Sequence, residues 1–353
     1  YTLHQARQLW ILLQAALCHH KGQSMKVTIS TGALKNGSKN RGVGVYTREL
    51  LAALRKNYPR DSFVADGGDL VHYPFFDPYY LTLPWRFSRQ TVITIHDLIP
   101  LKYPSHFKAG VRGKLKWLIQ KYRARRASAI LTDSLSSKTD IHAIMGIPES
   151  KIFVVPLAPG ALKPTASVNN KAKKLYSLPP RYVLYVGDIN WNKNVPGLIK
   201  SFGELKDPSI HLVLVGKVFT YESDIPEYMR VKDAIVKSGK STIIHTLGYI
   251  PSHHLPSIYA LADLYVQPSF DEGFGLPLLE AMQTGCPVLS SSAGSLKEVG
   301  GDAAHYFNPR SGELSQKMAE LLASETQRQA LKELGLSHVK QFTWDRTAKL
   351  TRG

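Results

Sequence analysis

The chain has 353 residues, 43 % of them apolar and 20 % charged, an ordinary globular content with length enough for two cores rather than one. Lys and Arg exceed Asp and Glu by 18, a field that draws anions: nucleic acid, lipid head groups or phosphorylated small molecules. Two cysteines, Cys18 and Cys286, exclude a disulfide framework and fit a reducing compartment; neither belongs to a Cys-x-x-Cys zinc pair.

Residues 1–24 carry a short apolar stretch, 9–13 and 15–17, behind a weakly basic start. It is too short to span a bilayer and lacks the charged start and small-residue cleavage site of a signal peptide. An extension outside the fold and an interfacial amphipathic anchor are the two readings. Scant positive charge on the polar face favours the first. From Met25 on, β-branched runs alternate with helical stretches: strands at 27–30, 70–73, 92–96, 129–132 and 152–156, and helices through 49–54 and along 111–126. This alternation predicts parallel βαβ units and a doubly wound sheet for residues 25–160.

Residues 161–180 lose the pattern, are rich in Pro, Ala, Ser, Asn and Lys, and read as a linker. It restarts over 181–335, with strands at 182–186, 210–215, 242–247, 264–267 and 288–291 and helices at 195–205, 229–237, 255–262 and 277–284. Residues 336–353 close the chain. Two α/β halves place a ligand cleft at the carboxyl ends of their strands.

Chemistry concentrates in the string from Pro268 to Met282, Pro-Ser-Phe-Asp-Glu-Gly-Phe-Gly-Leu-Pro-Leu-Leu-Glu-Ala-Met. Gly273 and Gly275 let the backbone approach a ligand, with Phe274 and Leu276 beside them. The helix that follows, with Pro277 in its first turn, offers free N–H groups to a diphosphate. Glu272 stands in the loop, and Glu280, in the helix, can accept two hydrogen bonds from a ribose. Capping explains one acidic residue but not the whole string.

Glu272 and Glu280, seven residues between them, resemble the E-x7-E motif of retaining glycosyltransferases of family 4, and the resemblance runs from Met25 to the C-terminus. It implies a GT-B fold: two Rossmann-like domains facing each other across a cleft, the first for the acceptor and the second for the nucleotide sugar, with a C-terminal helix crossing back. It places Glu272 by the donor sugar and Glu280 on the ribose. Lys193, in the segment Tyr185–Asn194, matches the lysine that holds the donor diphosphate. Arginines that many members add fall here on Asp188 and Asn192, and Lys217 is the candidate replacement. Gly42 and Gly44, after the first strand, are similar to the glycine loop that faces the phosphates. His96, in Thr94–Pro100, matches the histidine that approaches the donor sugar. Residues 243–250, with Tyr249 and Ile250, fall where the base is held through backbone groups. The element around Ser134 and Ser136 resembles a strand–Ser–helix unit in which both serines cap the helix. Residues 342–348 resemble the crossing helix.

The implied activity is retaining, metal-independent and without a cofactor: a sugar passes from a nucleotide-sugar donor to a glycan or lipid-linked acceptor in polysaccharide biosynthesis. The segment 96–104 leans toward mannose carried on GDP. A sugar-nucleotide epimerase of the same two-domain fold is the alternative, which Lys193 and the glutamate pair argue against. A basic nucleic-acid-binding protein would fit the charge, but zinc fingers, recognition-helix motifs and aromatic-interleaved basic strands are absent, so no nucleic acid is expected. Basic residues crowd the helix at 108–126: Lys114, Lys116, Lys121, Arg123, Arg125 and Arg126. Its apolar stripe, Val111, Leu115, Leu118, Ile119 and Tyr122, fits a helix packed on its own sheet. The charge adds attraction to an anionic membrane, hence a cytoplasmic protein at the inner face.

Overall fold

The computed structural model describes residues 24–32, 42–160 and 166–353. Six strands come first: β1 Lys26–Ile29, β2 Ser62–Val64, β3 Leu70–Tyr73, β4 Gln90–Thr94, β5 Ala129–Thr132 and β6 Ile152–Val154. Their order is β2-β1-β3-β4-β5-β6. Six more follow: β7 Tyr182–Val186, β8 His211–Val215, β9 Ile244–Leu247, β10 Leu264–Gln267, β11 Val288–Ser291 and β12 His305–Phe307. They run β12-β11-β10-β7-β8-β9, and the paired strands are parallel. Val183, Leu184 and Tyr185 in β7 and Leu212, Val213 and Leu214 in β8 are fully buried. Such unbroken apolar runs are what a parallel sheet covered on both faces requires. The Val195–Gly203 helix turns Val195, Leu198, Ile199 and Phe202 into the core.

By internal contacts the chain forms two compact units. One holds the described residues up to Ile95, Lys116–Leu131 and Trp344–Gly353; the other holds His96–Leu115 and Thr132–Thr343. In the first unit the last helix, Trp344–Arg352, lies on the Gly42–Asn57 helix. The Trp344 ring is 6.2 Å from that of Tyr46, Lys56 and Asn57 donate to Asp345 at 2.9 and 2.7 Å, and Arg352 pairs with Asp61 at 3.0 Å. The chain thus returns at its end to the unit of its first strands.

The structure departs from the sequence expectations in four places. The stretch 161–180 contains a helix, Ala166–Leu175, with Ala172 buried: a run of Ala, Lys and Leu between prolines outweighs its Ser and Asn. The strands Ser62–Val64 and His305–Phe307 are three residues long, too short for alternation to register. Two helices, Leu314–Ala323 and Glu325–His338, precede the closing one. The Gly110–Arg125 helix is turned opposite to expectation: Val111, Leu115, Leu118 and Tyr122 are exposed while Gln120 and Arg123 are buried. Among the described residues no helix is long and apolar enough to cross a membrane. The extension and anchor readings of the N-terminal stretch fall outside the described residues, as does Cys18, while Cys286 is buried.

Candidate active site

The site grows from the ends of β7 and β10. Beyond β7 the chain makes a short 3-10 turn, Trp191–Lys193, and backbone ties lock it to the loop after β10. Phe270 N–H donates to the Asn192 carbonyl at 2.7 Å, and the buried Asn192 amide donates to the Asp271 carbonyl at 3.0 Å. The amide of Asn194 donates to the Pro268 carbonyl at 3.1 Å. Asn192 stands where the resemblance implies an arginine, and its amide is committed to this tie.

These ties bring Lys193 against Glu272, its Nζ 2.8 and 2.7 Å from the two carboxylate oxygens. Glu272 is buried, which is affordable only with donors around it. Gln267, the last residue of β10, donates to Glu272 Oε1 at 2.8 Å, and the Ser269 hydroxyl donates to the same oxygen at 2.7 Å. Ser295 holds the Glu272 carbonyl with its N–H and hydroxyl at 3.1 and 2.9 Å. The side chain and the backbone of Glu272 are both anchored.

Past Glu272 two glycines are needed for different reasons. A Cβ on Gly273 would lie 2.7 Å from Asp97 Cβ and 3.1 Å from the His96 carbonyl, so only glycine permits that approach. Gly275 has φ +98° and precedes the Leu276–Gln283 helix, which has no side-chain cap at its start. Such an N-terminus keeps backbone donors and partial positive charge for an anion. Phe274 is buried between the glycines. Glu280, one turn into the helix, is half-buried and accepts from Tyr259 Oη at 2.9 Å. Burial pushes its carboxyl above the usual range, and the tyrosine offsets part of that.

His96 arrives from β4 by strand register. Thr94 pairs with Leu131 across β4 and β5; two residues further along each chain, His96 Nδ1 meets Asp133 Oδ2 at 2.7 Å. Burial raises the Asp133 carboxyl, and the imidazole pulls it back. Asp97 is likewise raised by burial; the Ile99 N–H, Lys193 and His96 oppose the rise and Glu272 adds to it. Ser134 caps the Leu135–Met145 helix as expected, accepting from Ser137 N–H at 3.0 Å, and its hydroxyl also donates to the Gly273 carbonyl at 2.7 Å. Ser137 Oγ donates to the His96 carbonyl at 2.9 Å. Ser136 does not cap; its N–H goes to Glu298 at 3.3 Å. One helix start therefore fastens the His96 loop to the Gly273 loop.

His96, Lys193, Glu272 and Gly273 thus share one bonded network. Other predicted positions lie elsewhere. Lys217 is exposed at the head of the turn Lys217–Phe219 after β8. Tyr249, exposed, donates its N–H to Thr220 Oγ1 at 3.1 Å, so the loops after β8 and β9 abut, with Ile250 buried beside them. Gly42 and Gly44 open the Gly42–Asn57 helix in the other unit, and Arg41 before them lies outside the described residues. Sequence reasoning passed over Asp133, Gln267 and Ser269. The available signal for Asp133 was a carboxylate just past a buried strand, 37 residues after His96, in the register of the neighbouring strand.

The second parallel sheet carries a lysine and a buried glutamate past its strand ends, beside an uncapped helix start. Anabaena HepE in complex with UDP and glucose superposes with a TM-score of 0.69 at 18 % identity, over 92 % of this chain and 97 % of that one. WaaG, a glycosyltransferase of lipopolysaccharide biosynthesis, gives 0.63 at 14 % identity over 96 % and 92 %. The fold is GT-B. The model of glycosyl transferases group 1 matches residues 168–337, and that of Glycosyltransferase Family 4 matches 65–158. The chain is 32 % identical over 307 residues to O-antigen chain mannosyltransferase B of Escherichia coli, across 84 % of this chain and 77 % of that protein. It is 29 % identical over 276 residues to the serotype-specific mannosyltransferase WbdA of Escherichia coli, of whose length it covers 33 %. The chain belongs to the group 1, family 4 glycosyltransferases.

Proposed function

We propose that this glycosyltransferase moves mannose from GDP-mannose to a glycan or lipid-linked acceptor, with retention at the anomeric carbon and without a metal ion. The observation that carries the reading is the Lys193–Glu272 pair beside an uncapped helix start. The mannosyl donor follows the likeness to O-antigen chain mannosyltransferase B. Residues 25–160 are assigned to the acceptor, 181–335 to the nucleotide sugar and 161–180 to the connection between them. The protein works at the cytoplasmic face of a membrane.

Lys193 has three N–H bonds to give, and in this structure it turns toward Glu272. An incoming diphosphate competes for that ammonium. Glu272 keeps Gln267 and Ser269 as donors when the lysine turns away, so its carboxylate stays in place beside the sugar. Lys193 and the N–H groups at Gly275 and Leu276 then take up the charge of the leaving nucleoside diphosphate, the task a divalent cation performs in other transferases. Glu280 holds the ribose, and Tyr249 and Ile250 border the base. The 2.7 Å contact between His96 Nδ1 and Asp133 Oδ2 fixes the orientation of the ring beside the sugar.

NMR of the product formed from GDP-mannose and a short mannoside, in EDTA, tests this. The donor's anomeric configuration is expected to persist. An inverted product, or activity that returns only with manganese or magnesium, overturns the assignment.

A further inference from the structure

The two carboxylate oxygens of Glu272 have unequal surroundings. Oε1 takes three donors: Lys193 Nζ at 2.8 Å, the Gln267 amide at 2.8 Å and the Ser269 hydroxyl at 2.7 Å. Oε2 takes Lys193 alone among the described residues, at 2.7 Å. Three donors fill the first oxygen, and the second keeps acceptor capacity once the lysine turns away.

Gln267 decides that inequality, and its amide has two ways round. A carboxylate paired with a lysine accepts hydrogen bonds and gives none, so the amide must show it NH2 rather than C=O. The far end of the amide fixes this orientation. Tyr265 Oη donates to Gln267 Oε1, while the NH2 end serves Glu272 and also Ser269 Oγ at 2.8 Å. Strand geometry brings phenol and amide together: Tyr265 and Gln267 stand two residues apart on β10 and so share a face of the sheet. Tyr265, Gln267 and Ser269 are all buried, away from water that could replace any of them. Burial holds the Tyr265 phenol well above its usual range, so it keeps the proton it donates. Two other buried tyrosines of this sheet serve the backbone instead. Tyr182 Oη donates to the Ile258 carbonyl at 2.6 Å and Tyr185 Oη to the Asp188 carbonyl at 2.5 Å. Of the three, Tyr265 is the one that ends on a side chain touching Glu272.

We propose that Tyr265 is a positioning residue for the transfer step: through the Gln267 amide it pins Glu272 Oε1 and leaves Oε2 toward the donor sugar. The inference rests on the reading above that Glu272 stands beside that sugar. Without the phenol the amide can turn its C=O to Glu272. The carboxylate then loses a donor, faces a like partial charge and is driven from the position the reaction needs. Tyr265 is buried and acts only through Gln267, so its loss falls on turnover. The grip on the diphosphate belongs to Lys193 and the helix start, and it stays.

Turnover of Tyr265→Phe, Gln267→Met and the double variant tests this, beside calorimetry with nucleoside diphosphate. Tyr265→Phe is expected to lower kcat about tenfold, the usual contribution of one hydrogen bond to a charged group, with diphosphate affinity unchanged. Gln267→Met keeps the side-chain length without the amide and lowers kcat at least as far. In that background Tyr265→Phe is expected to add less than about twofold, because the phenol has no amide left to orient. Tyr182→Phe deletes another buried hydroxyl of the same sheet and is expected to leave kcat as in wild type. A Tyr265→Phe enzyme with kcat within about twofold of wild type overturns the inference. So do effects of the two substitutions that multiply, since Tyr265 would then act by packing. Should Tyr265→Phe fail to fold, wild-type turnover in Gln267→Met overturns it as well. Glu272→Gln is measured alongside. Turnover near wild type in that variant removes Glu272 from the reaction and takes this inference with it; a crippled Glu272→Gln beside an unaffected Tyr265→Phe sinks the inference alone.

Discussion

Glu272 and Glu280 belong to one motif, yet their surroundings differ. Glu272 is gripped by Lys193, Gln267 and Ser269, and its backbone carbonyl by Ser295. Glu280 is half-buried on a helix with one tyrosine hydroxyl on its carboxylate. A carboxylate clamped from several sides is suited to work where position near a reacting bond matters. One with a single partner has acceptor capacity left for a ligand's hydroxyls. Spacing in sequence made them look like a pair; their donors give them different tasks.

Removing the lysine should produce the largest effect. Lys193→Ala is expected to lower kcat/KM about a hundred- to a thousandfold, as the loss of one preorganised charge-stabilising donor commonly does. It also leaves Glu272 buried without its cation. Steady-state rates within about threefold of wild type would show that the diphosphate is held elsewhere and point to Lys217.

The two glutamates should then fail in different quantities. Glu272→Gln is expected to depress turnover and leave diphosphate affinity intact, because the freed Lys193 still meets the phosphates. Glu280→Gln is expected to weaken diphosphate-nucleoside binding about tenfold with little change in kcat, the signature of a contact equal in ground and transition states. Calorimetry with GDP beside turnover measurements separates them, and the opposite pattern would exchange the two roles.

The smallest effect concerns Asp133. Burial lifts its folded pKa above the unfolded value, so its contribution to stability is present at pH below the ordinary carboxylate range and is lost as pH rises through the folded value. An uncharged isostere escapes that loss. Asp133→Asn should melt somewhat higher than wild type at pH 7, with the gap closing toward pH 4, while turnover falls several-fold as His96 loses its charged partner. A lower melting temperature at pH 7 would mean that the His96 pair outweighs the burial.

Much of the fold was legible in the sequence. Parallel strands buried on both faces leave continuous apolar runs, and those at 182–186, 264–267 and 288–291 coincide with the observed β7, β10 and β11. Local backbone chemistry was legible as well: Ser134 caps its helix, Pro277 stands in the first turn of its own, and Gly275 takes the positive φ. The three-residue strands Ser62–Val64 and His305–Phe307 escaped because so short a run carries little signal, and the helix at 166–175 because its turn-forming residues hid its helix formers.

Periodicity told that a stripe exists and not which way it faces. The Val195–Gly203 and Gly110–Arg125 helices both repeat apolar residues at helical spacing, and the first buries them while the second exposes them. The deciding partner for the second is a distant loop whose carbonyls at Asp77 and Leu83 need donors, a demand no local pattern records. The same holds for the site. Sequence alone determined the residue types at the strand ends, the glycines that the turns demand and the helix that starts beyond them, because these follow from local backbone geometry. Only tertiary structure decided that Lys193 faces Glu272, that Asp133 meets His96 and that Gly273 lies against Asp97. Each of those contacts joins separate strands or loops through the lateral order of a sheet, and lateral order is set by packing between segments far apart in the chain.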